Sequence, residues 1–97
     1  MKTIDRKFRI LAVNPVNGKI YTEKNAVLLC AKDMAVPAAL KEYRKSASLL
    51  GANQAHLDSI DLLISRVEQY QREIEARVPD TVGAEIPRCL SGEGVEE

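Results

Sequence analysis

The first regular pattern along the chain is strand-like and spans residues 8–21. The dipeptide Asn17-Gly18 near its centre predicts a tight type I′ turn, because both residues readily take the positive φ that this turn requires. The segment therefore predicts a β-hairpin. Leu11 and Val13 fall on the face that alternation would give to polar residues, so we expect both faces of the hairpin to be partly covered.

A continuous run of small and apolar residues follows the hairpin, from residue 26 to residue 31. Thr22 is a favourable N-cap, and Glu23 would place a carboxylate in the first helical turn. These signals predict a helix over residues 23–33. A buried third strand fits the same six residues, because periodicity does not separate the two at this length.

Apolar residues then recur at spacings of three and four in two further segments, which predicts two more helices. The first runs from Pro37, suited to a first turn, to Leu50, with Gly51 as its C-terminal cap. The second runs over residues 54–77 and is capped by Asn53. Its apolar stripe consists of Leu57, Ile60, Leu63, Ile64, Val67, Tyr70 and Ile74.

This last helix is about 35 Å long, which is longer than the hairpin and the short helices of this chain can readily cover. We therefore expect part of its stripe to contact a second copy in a homo-oligomeric helix bundle. The residues expected at that oligomer interface are Leu57, Ile60, Ile64, Val67 and Ile74.

The end of the chain reads differently from the rest. Pro79 stops regular structure, and glycines with an excess of acidic residues follow. We expect one compact domain over residues 1–78 and a mobile acidic tail over residues 79–97. The fold class predicted is α+β, an N-terminal β-hairpin followed by three α-helices and a flexible acidic C-terminal tail.

Length and composition restrict the function. A chain of 97 residues forms one domain at most, which excludes a two-domain enzyme. Its hydrophobic fraction of 45% is too high for a wholly disordered chain, so it should fold. No apolar run is long enough to span a bilayer, and the N-terminus lacks a signal-peptide core, so we expect a protein that acts in the cytoplasm, without membrane contact.

The net charge of zero hides a division between the two halves. Residues 1–50 hold ten Lys or Arg against four Asp or Glu, a net charge of +6, and the remainder carries −6. This division fits a positive surface for an anionic ligand, and it equally fits two halves that attract each other within or between subunits. Both interpretations stay open at this point.

Residue patterns typical of catalysis are missing from the sequence. His56 is the single histidine and is expected to be exposed or associated with the helix cap. Cys30 and Cys89 have no C-x-x-C partner, and no G-x-S-x-G or phosphate-binding loop is present. We therefore expect no enzymatic activity, no metal site and no cofactor.

Cations converge where the hairpin meets the predicted first helix. A helix N-terminus offers unpaired N–H groups to an anion, and an aromatic ring beside it can stack on a base. The candidate ligand-binding residues are Arg9, Lys19, Tyr21, Thr22 and Lys24. A second candidate patch consists of Lys41, Arg44 and Lys45, which could instead face the acids of the last helix. The isoelectric point of about 6.6 argues against duplex DNA as a ligand.

The string FRILAVNPVNGKIYTEKNAVLLCAKDMAVPAALKEY, followed by LLISRVEQYQ, resembles the small accessory proteins carried by tailed phages and prophages. The resemblance covers roughly residues 6–78. It implies a phage-encoded viral protein of the host cytoplasm, with a counter-defence role. Such a protein would act as a sponge that binds and sequesters an anionic nucleotide-like signal, or it would inhibit a host defence protein. The alternatives are a phage structural or assembly subunit and a weak nucleic-acid-binding regulator.

Overall fold

The computed structural model describes residues 2–91 of the chain. The contacts divide the chain into two compact units, unit 1 comprising Met1–Leu28 with Asp80–Glu97 and unit 2 comprising Leu29–Pro79. The elements in chain order are strands β1 (Leu11–Val13) and β2 (Ile20–Thr22), helices α1 (Val36–Leu49) and α2 (Gln54–Glu73), a 3-10 turn (Gly83–Glu85) and helix α3 (Ile86–Ser91). The predicted class, an α+β chain with a hairpin before three helices, is confirmed.

The first predicted helix is wrong, because residues 23–33 form neither a helix nor a strand. Thr22 starts a turn instead of a helix: its hydroxyl accepts from the N–H of Lys24 at 3.2 Å, and its carbonyl accepts from the N–H of Asn25 at 3.0 Å. The N–H of Leu28 donates to the side chain of Asp5 at 2.8 Å. N–H and carbonyl groups that would form i to i−4 bonds in a helix are therefore bonded to other partners.

The third helix lies instead within the segment predicted as a tail. After Pro79, three residues lack regular structure, and the N–H of Val82 donates to Oε1 of Glu85 at 2.9 Å to cap the 3-10 turn that precedes α3. Residues 80–91 belong to the same unit as the hairpin. The mobility of the tail stays a prediction, and residues 92–97 lie outside the described part.

The hairpin is formed as predicted, but its turn is not the predicted one. Only Gly18 has a positive φ, 74°, whereas Asn17 does not, so the type I′ prediction is wrong. Six residues connect the strands, and the N–H of Asn14 donates to the carbonyl of Lys19 at 2.9 Å, so that the four residues 15–18 lie inside the closing bond. Side-chain oxygens of Asn14 and Asn17 accept from N–H groups two residues later, which stabilises this longer loop without strain at Asn17.

Unit 2 is a pair of helices, and its ends follow the predicted signals. Pro37 lies in the first turn of α1, and Gly51 follows its end with a φ of 89°. The N–H of Ala52 donates to the carbonyl of Ala47 at 3.0 Å, which completes a Schellman cap. Asn53 caps α2 by accepting from the N–H of His56 at 2.8 Å. The buried apolar residues are Val36, Ala47, Leu57, Ile60, Ile64 and Val67.

Helix α2 ends at Glu73, earlier than the predicted residue 77, because the chain there turns to pair with the segment before α1. The N–H of Met34 donates to the carbonyl of Arg77 at 2.9 Å, and the N–H of Arg77 donates to the carbonyl of Lys32 at 2.7 Å. The side-chain amide of Gln71 donates to two carbonyls of the same segment, those of Ala31 and Asp33, at 2.9 and 2.7 Å. Within residues 2–91, no helix has both the length and the apolar character that a bilayer span requires.

Candidate binding surface on the hairpin

The base of the hairpin in unit 1 is built around one carboxylate. Asp5 is only 4% exposed. Its Oδ1 accepts from the N–H groups of Lys7 and Phe8 at 2.8 and 2.6 Å, and its Oδ2 accepts from that of Leu28 at 2.8 Å. One side chain therefore joins the segment before β1 to the segment after β2.

The ionised form of Asp5 is the stable one in the folded chain. Burial raises the pKa of this carboxyl, but the N–H bonds from Phe8, Lys7 and Leu28 and the charge of Arg6 together outweigh burial and lower the pKa below its ordinary value of 3.8. The carboxylate therefore keeps its charge at neutral pH, and its three bonds persist there.

A second carboxylate positions the start of β1. Oε1 of Glu23 accepts from the N–H of Ile10 at 2.8 Å, and the carbonyl of the same residue accepts from Ile4 and Asp5. The bond from Ile10 lowers the pKa of Glu23, with further lowering by the charges of Arg88 and Arg9. Two acids thus fix the hairpin base, and both use backbone N–H groups as partners.

The cation of Lys7 fastens the C-terminal segment to the same base. Its Nζ donates to the carbonyl of Asp80 at 2.6 Å and lies 3.4 Å from Oε1 of Glu85. The pKa of Glu85 is lowered, first by the N–H of Val82 and then by Lys7 against a raising effect of burial. Lys7 is consequently a structural cation of unit 1.

The hairpin carries an exposed apolar surface beyond this base. Leu11 pairs with Thr22 and Val13 pairs with Ile20, so these four side chains share one face of the sheet, named here the hairpin face. Leu11 is 78% exposed, Val13 56% and Ile20 60%. The expected cover is missing from this face within unit 1, because neither the 3-10 turn nor α3 contacts β1 or β2.

The two edges of the hairpin differ. The register directs the N–H groups of Leu11 and Val13 away from β2, and they have no partner within residues 2–91. On the other edge, the N–H of Thr22 donates to Oδ1 of Asn25 at 2.9 Å. The β1 edge is therefore open at both outward N–H groups, whereas on the β2 edge Thr22 is capped and only the N–H of Ile20 has no partner within the described residues.

The structure does not bring the five predicted ligand residues together on one surface. Tyr21 pairs with Ala12 on the side opposite the hairpin face, and strand alternation places Lys19 on the side of Tyr21. Thr22 lies on the hairpin face, and Lys24 lies in the turn after it. Arg9 precedes β1, and its positive charge lowers the pKa of Glu23. The predicted helix N-terminus is absent, so that part of the argument for an anion site is wrong.

The second candidate patch faces the acids of α2, one of the two arrangements that the sequence left open. Nζ of Lys41 lies 3.2 Å from Oε2 of Glu68. Nε of Arg44 lies 2.6 Å from Oδ1 of Asp61, although the N–H is too poorly aligned for a hydrogen bond. Lys45 is exposed. Two of the three cations are thus neutralised within unit 2.

The predicted oligomer residues divide into two groups. Leu57, Ile60, Ile64 and Val67 are buried within the single chain. Ile74 is exposed. Packing of α1 on α2 therefore already accounts for four positions of the stripe, and the oligomer itself stays a prediction.

His56 is exposed next to the cap of α2, as predicted. Its Nε2 lies 3.1 Å from the hydroxyl of Tyr43. Within the described range, no three side chains of His, Cys, Asp or Glu are grouped closely enough to hold a metal ion.

Asp5 and Glu23, which position the hairpin, were not among the residues predicted from the sequence. The available signal was weak: two acids in an otherwise basic N-terminal segment. Comparison of the chain with protein-family models, with curated proteins and with solved structures finds no match.

Proposed function

We propose that this chain is a non-enzymatic binding protein that contacts a partner protein through the hairpin face and the β1 edge. Two observations carry the proposal. Leu11, Val13 and Ile20 are exposed on one face of the hairpin, and the outer N–H groups of β1 have no partner in the described chain. Exposed contiguous apolar surface and unpaired strand edges are the two features that partner strands recognise.

The mode of binding is strand addition. An extended segment of the partner hydrogen-bonds to the β1 edge and sets alternate apolar side chains beside Leu11 and Val13. Because β1 has only three residues, the main-chain bonds are few, and most of the affinity comes from the apolar contacts.

The charge around the hairpin selects a partner segment that is acidic as well as apolar. Residues 2–28 contain six Lys or Arg and two Asp or Glu, and residues 80–91 add one Arg and two acids, so the described part of unit 1 holds seven Lys or Arg against four Asp or Glu, a net charge of +3. Both acids of residues 2–28 are engaged by backbone N–H groups, whereas Lys19 and Lys24 are exposed at either end of β2. These cations attract an acidic segment and speed its association at low salt.

The resemblance to small phage accessory proteins gives this proposal its context. On that basis the protein acts in the cytoplasm of a bacterial host and inhibits a defence protein by binding one of its extended segments. Its role is stoichiometric, because binding alone produces the inhibition.

Site-specific photocrosslinking in bacterial cells that express the protein tests the proposal. Benzoylphenylalanine at position 11 or 13 should give the same discrete adduct, identified by mass spectrometry. The matched control is the same amino acid at Leu49, an exposed apolar position of unit 2. Val13→Lys should abolish the adduct formed from position 11. Identical adducts from position 49, or none from 11 and 13, would overturn the proposal.

A second candidate function rests on the other side of the hairpin, where Lys19 and Tyr21 lie together. An aromatic ring beside a cation can hold a nucleotide-like anion by stacking and by charge. Isothermal titration with linear and cyclic nucleotides tests this candidate. Lys19→Glu should weaken binding by about 1.5 to 3 kcal/mol, whereas the control Lys45→Glu should leave it unchanged. Equal affinity in both variants would exclude this site.

A further inference from the structure

The helix pair of unit 2 has two flanks of different character. On one flank the ion pairs Lys41–Glu68 and Arg44–Asp61 connect α1 to α2. That flank is therefore lined by charged side chains that are partly exposed and already paired within the chain.

The opposite flank is apolar and exposed, and is named here the open flank. Its residues are Ala39, Tyr43 and Ser46 of α1, Leu63 and Tyr70 of α2, and Ile74 just after α2. At one end the rings of Tyr43 and His56 meet edge to face, with centroids 6.0 Å apart.

Helical geometry places these residues on one side. Each residue advances about 100° around the axis, so Leu63 and Tyr70 lie about 90° to one side of the buried Ile60 and Ile64. Asp61, which pairs with Arg44, lies about 80° to the other side. A layer of only two helices leaves such a flank uncovered unless another layer packs on it.

We propose that the open flank is the contact surface for a second copy of this chain, forming a two-fold dimer with a four-helix core. The two-fold axis runs along the helices, so that α2 of each copy packs on α1 of the other. The large Leu63 and Tyr70 of α2 then meet the small Ala39 and Ser46 of α1, the large-on-small matching that fills a helical interface without voids. The dimer does not depend on the hairpin surface proposed above.

Charges at the rim of the open flank support a second copy as the occupant. Glu42 lies at the rim on α1 and Arg66 at the rim on α2; both are exposed, and neither is in an ion pair within residues 2–91. Two-fold symmetry makes the same surface meet itself, so the acid of each copy faces the base of the other and two complementary pairs form.

The size of the surface fits a dimer of moderate affinity. Helix α2 has 20 residues and α1 has 14, so the flank is about 20 to 30 Å long, and two helices are about 20 Å wide. This gives on the order of 500 Å² per copy and about 1,000 Å² in total, the lower end of specific interfaces.

Sedimentation equilibrium of the full chain, at roughly 1 to 100 µM, tests the proposal. The unaltered protein should show a monomer–dimer equilibrium. Leu63→Glu should weaken the dimer by about 100-fold, because two charges are forced into the contact. The matched control is Leu62→Glu, the next residue on the same helix: Leu62 is 50% exposed and Leu63 41%, but Leu62 points away from the open flank.

A charge exchange separates a specific contact from loss of fold. Glu42→Arg and Arg66→Glu should each weaken the dimer, and the double variant should restore it. Circular dichroism checks that all variants keep their helices. A monomeric unaltered protein, equal effects of the variants at 62 and 63, or no rescue in the double variant would overturn the proposal. A stable monomer would leave the flank to a different protein partner.

Discussion

The two units of this protein bury opposite kinds of side chain. In unit 2 the buried residues are all apolar, and they lie between α1 and α2. In the described part of unit 1 the buried residues are Thr3 and Asp5, both polar. The helix pair is therefore stabilised by apolar packing, whereas the hairpin unit is stabilised by hydrogen bonds that converge on a carboxylate.

This difference predicts how each unit tolerates change. Apolar packing is spread over many contacts, so one missing methyl group costs part of the total. A buried carboxylate with three donors behaves differently, because removing it leaves every donor without its partner at once. Unit 2 should tolerate moderate substitutions at most positions, whereas one substitution, at Asp5, should be enough to destabilise unit 1.

The largest expected effect breaks the apolar side of the comparison. Val67→Asp places an unpaired charge in the core of unit 2 and should cost about 4 kcal/mol of the free energy of unfolding. Urea denaturation followed by circular dichroism measures it. Leu62→Asp, at an exposed position of the same helix, should change stability by about 0.5 kcal/mol or less. Comparable losses in both variants would contradict the assigned core.

The next effect breaks the polar side. Asp5→Ala removes the acceptor of three N–H groups and should destabilise unit 1 by roughly 3 kcal/mol. Hydrogen exchange should show faster exchange at Lys7, Phe8 and Leu28, with unit 2 amides unchanged. Asp33→Ala is the control, since Asp33 accepts one exposed N–H, that of Ala35. Unaltered exchange at the three amides would refute the role of Asp5.

Acid should separate the two units without any substitution. The folded-state pKa of Asp5 is lowered, so its contribution is fully present above the ordinary value of 3.8 and is lost as pH falls through the folded value. The pKa values of Glu23 and Glu85, which also belong to unit 1, are lowered as well. Amide exchange measured from pH 6 downward should therefore show unit 1 opening before unit 2. Asp5→Asn should make this opening less dependent on pH.

The smallest effect tests a helix end. Asn53→Ala removes the side chain that accepts from the N–H of His56 and should cost about 1 kcal/mol. Asn53→Ser keeps a capping oxygen and should stay within a few tenths of a kcal/mol of the unaltered protein. Thermal unfolding by circular dichroism checks both, and an equal loss in the two variants would show that the cap is not responsible.

The same contrast explains what the sequence predicted. The helices of unit 2 were predicted correctly because they depend on apolar periodicity and on caps such as Gly51 and Asn53. Both features are determined by residues close together in the sequence. The helix predicted over residues 23–33 was wrong because the N–H of Leu28 is bound by Asp5, a partner 23 residues away. Propensity carries no information about such a contact.

The candidate site was predicted only in part. Its basic charge and its hairpin were expected, but the apolar character of the hairpin face was not, since Leu11 and Val13 were expected to be partly covered. Whether an apolar strand face is covered depends on which element packs against it. In this chain the helix predicted directly after Thr22 does not form.

The bridge between residues 32–34 and Arg77 has a consequence for the order of events during synthesis on the ribosome. It holds the two ends of unit 2 side by side, so that this unit is a continuous stretch that closes on itself once Arg77 has emerged. Unit 1 is discontinuous, and the bond from Lys7 to Asp80 joins residues 73 positions apart. Contacts of such separation form late. We therefore expect the helix pair to fold first, while the hairpin stays exposed until residues 80–91 have been synthesised.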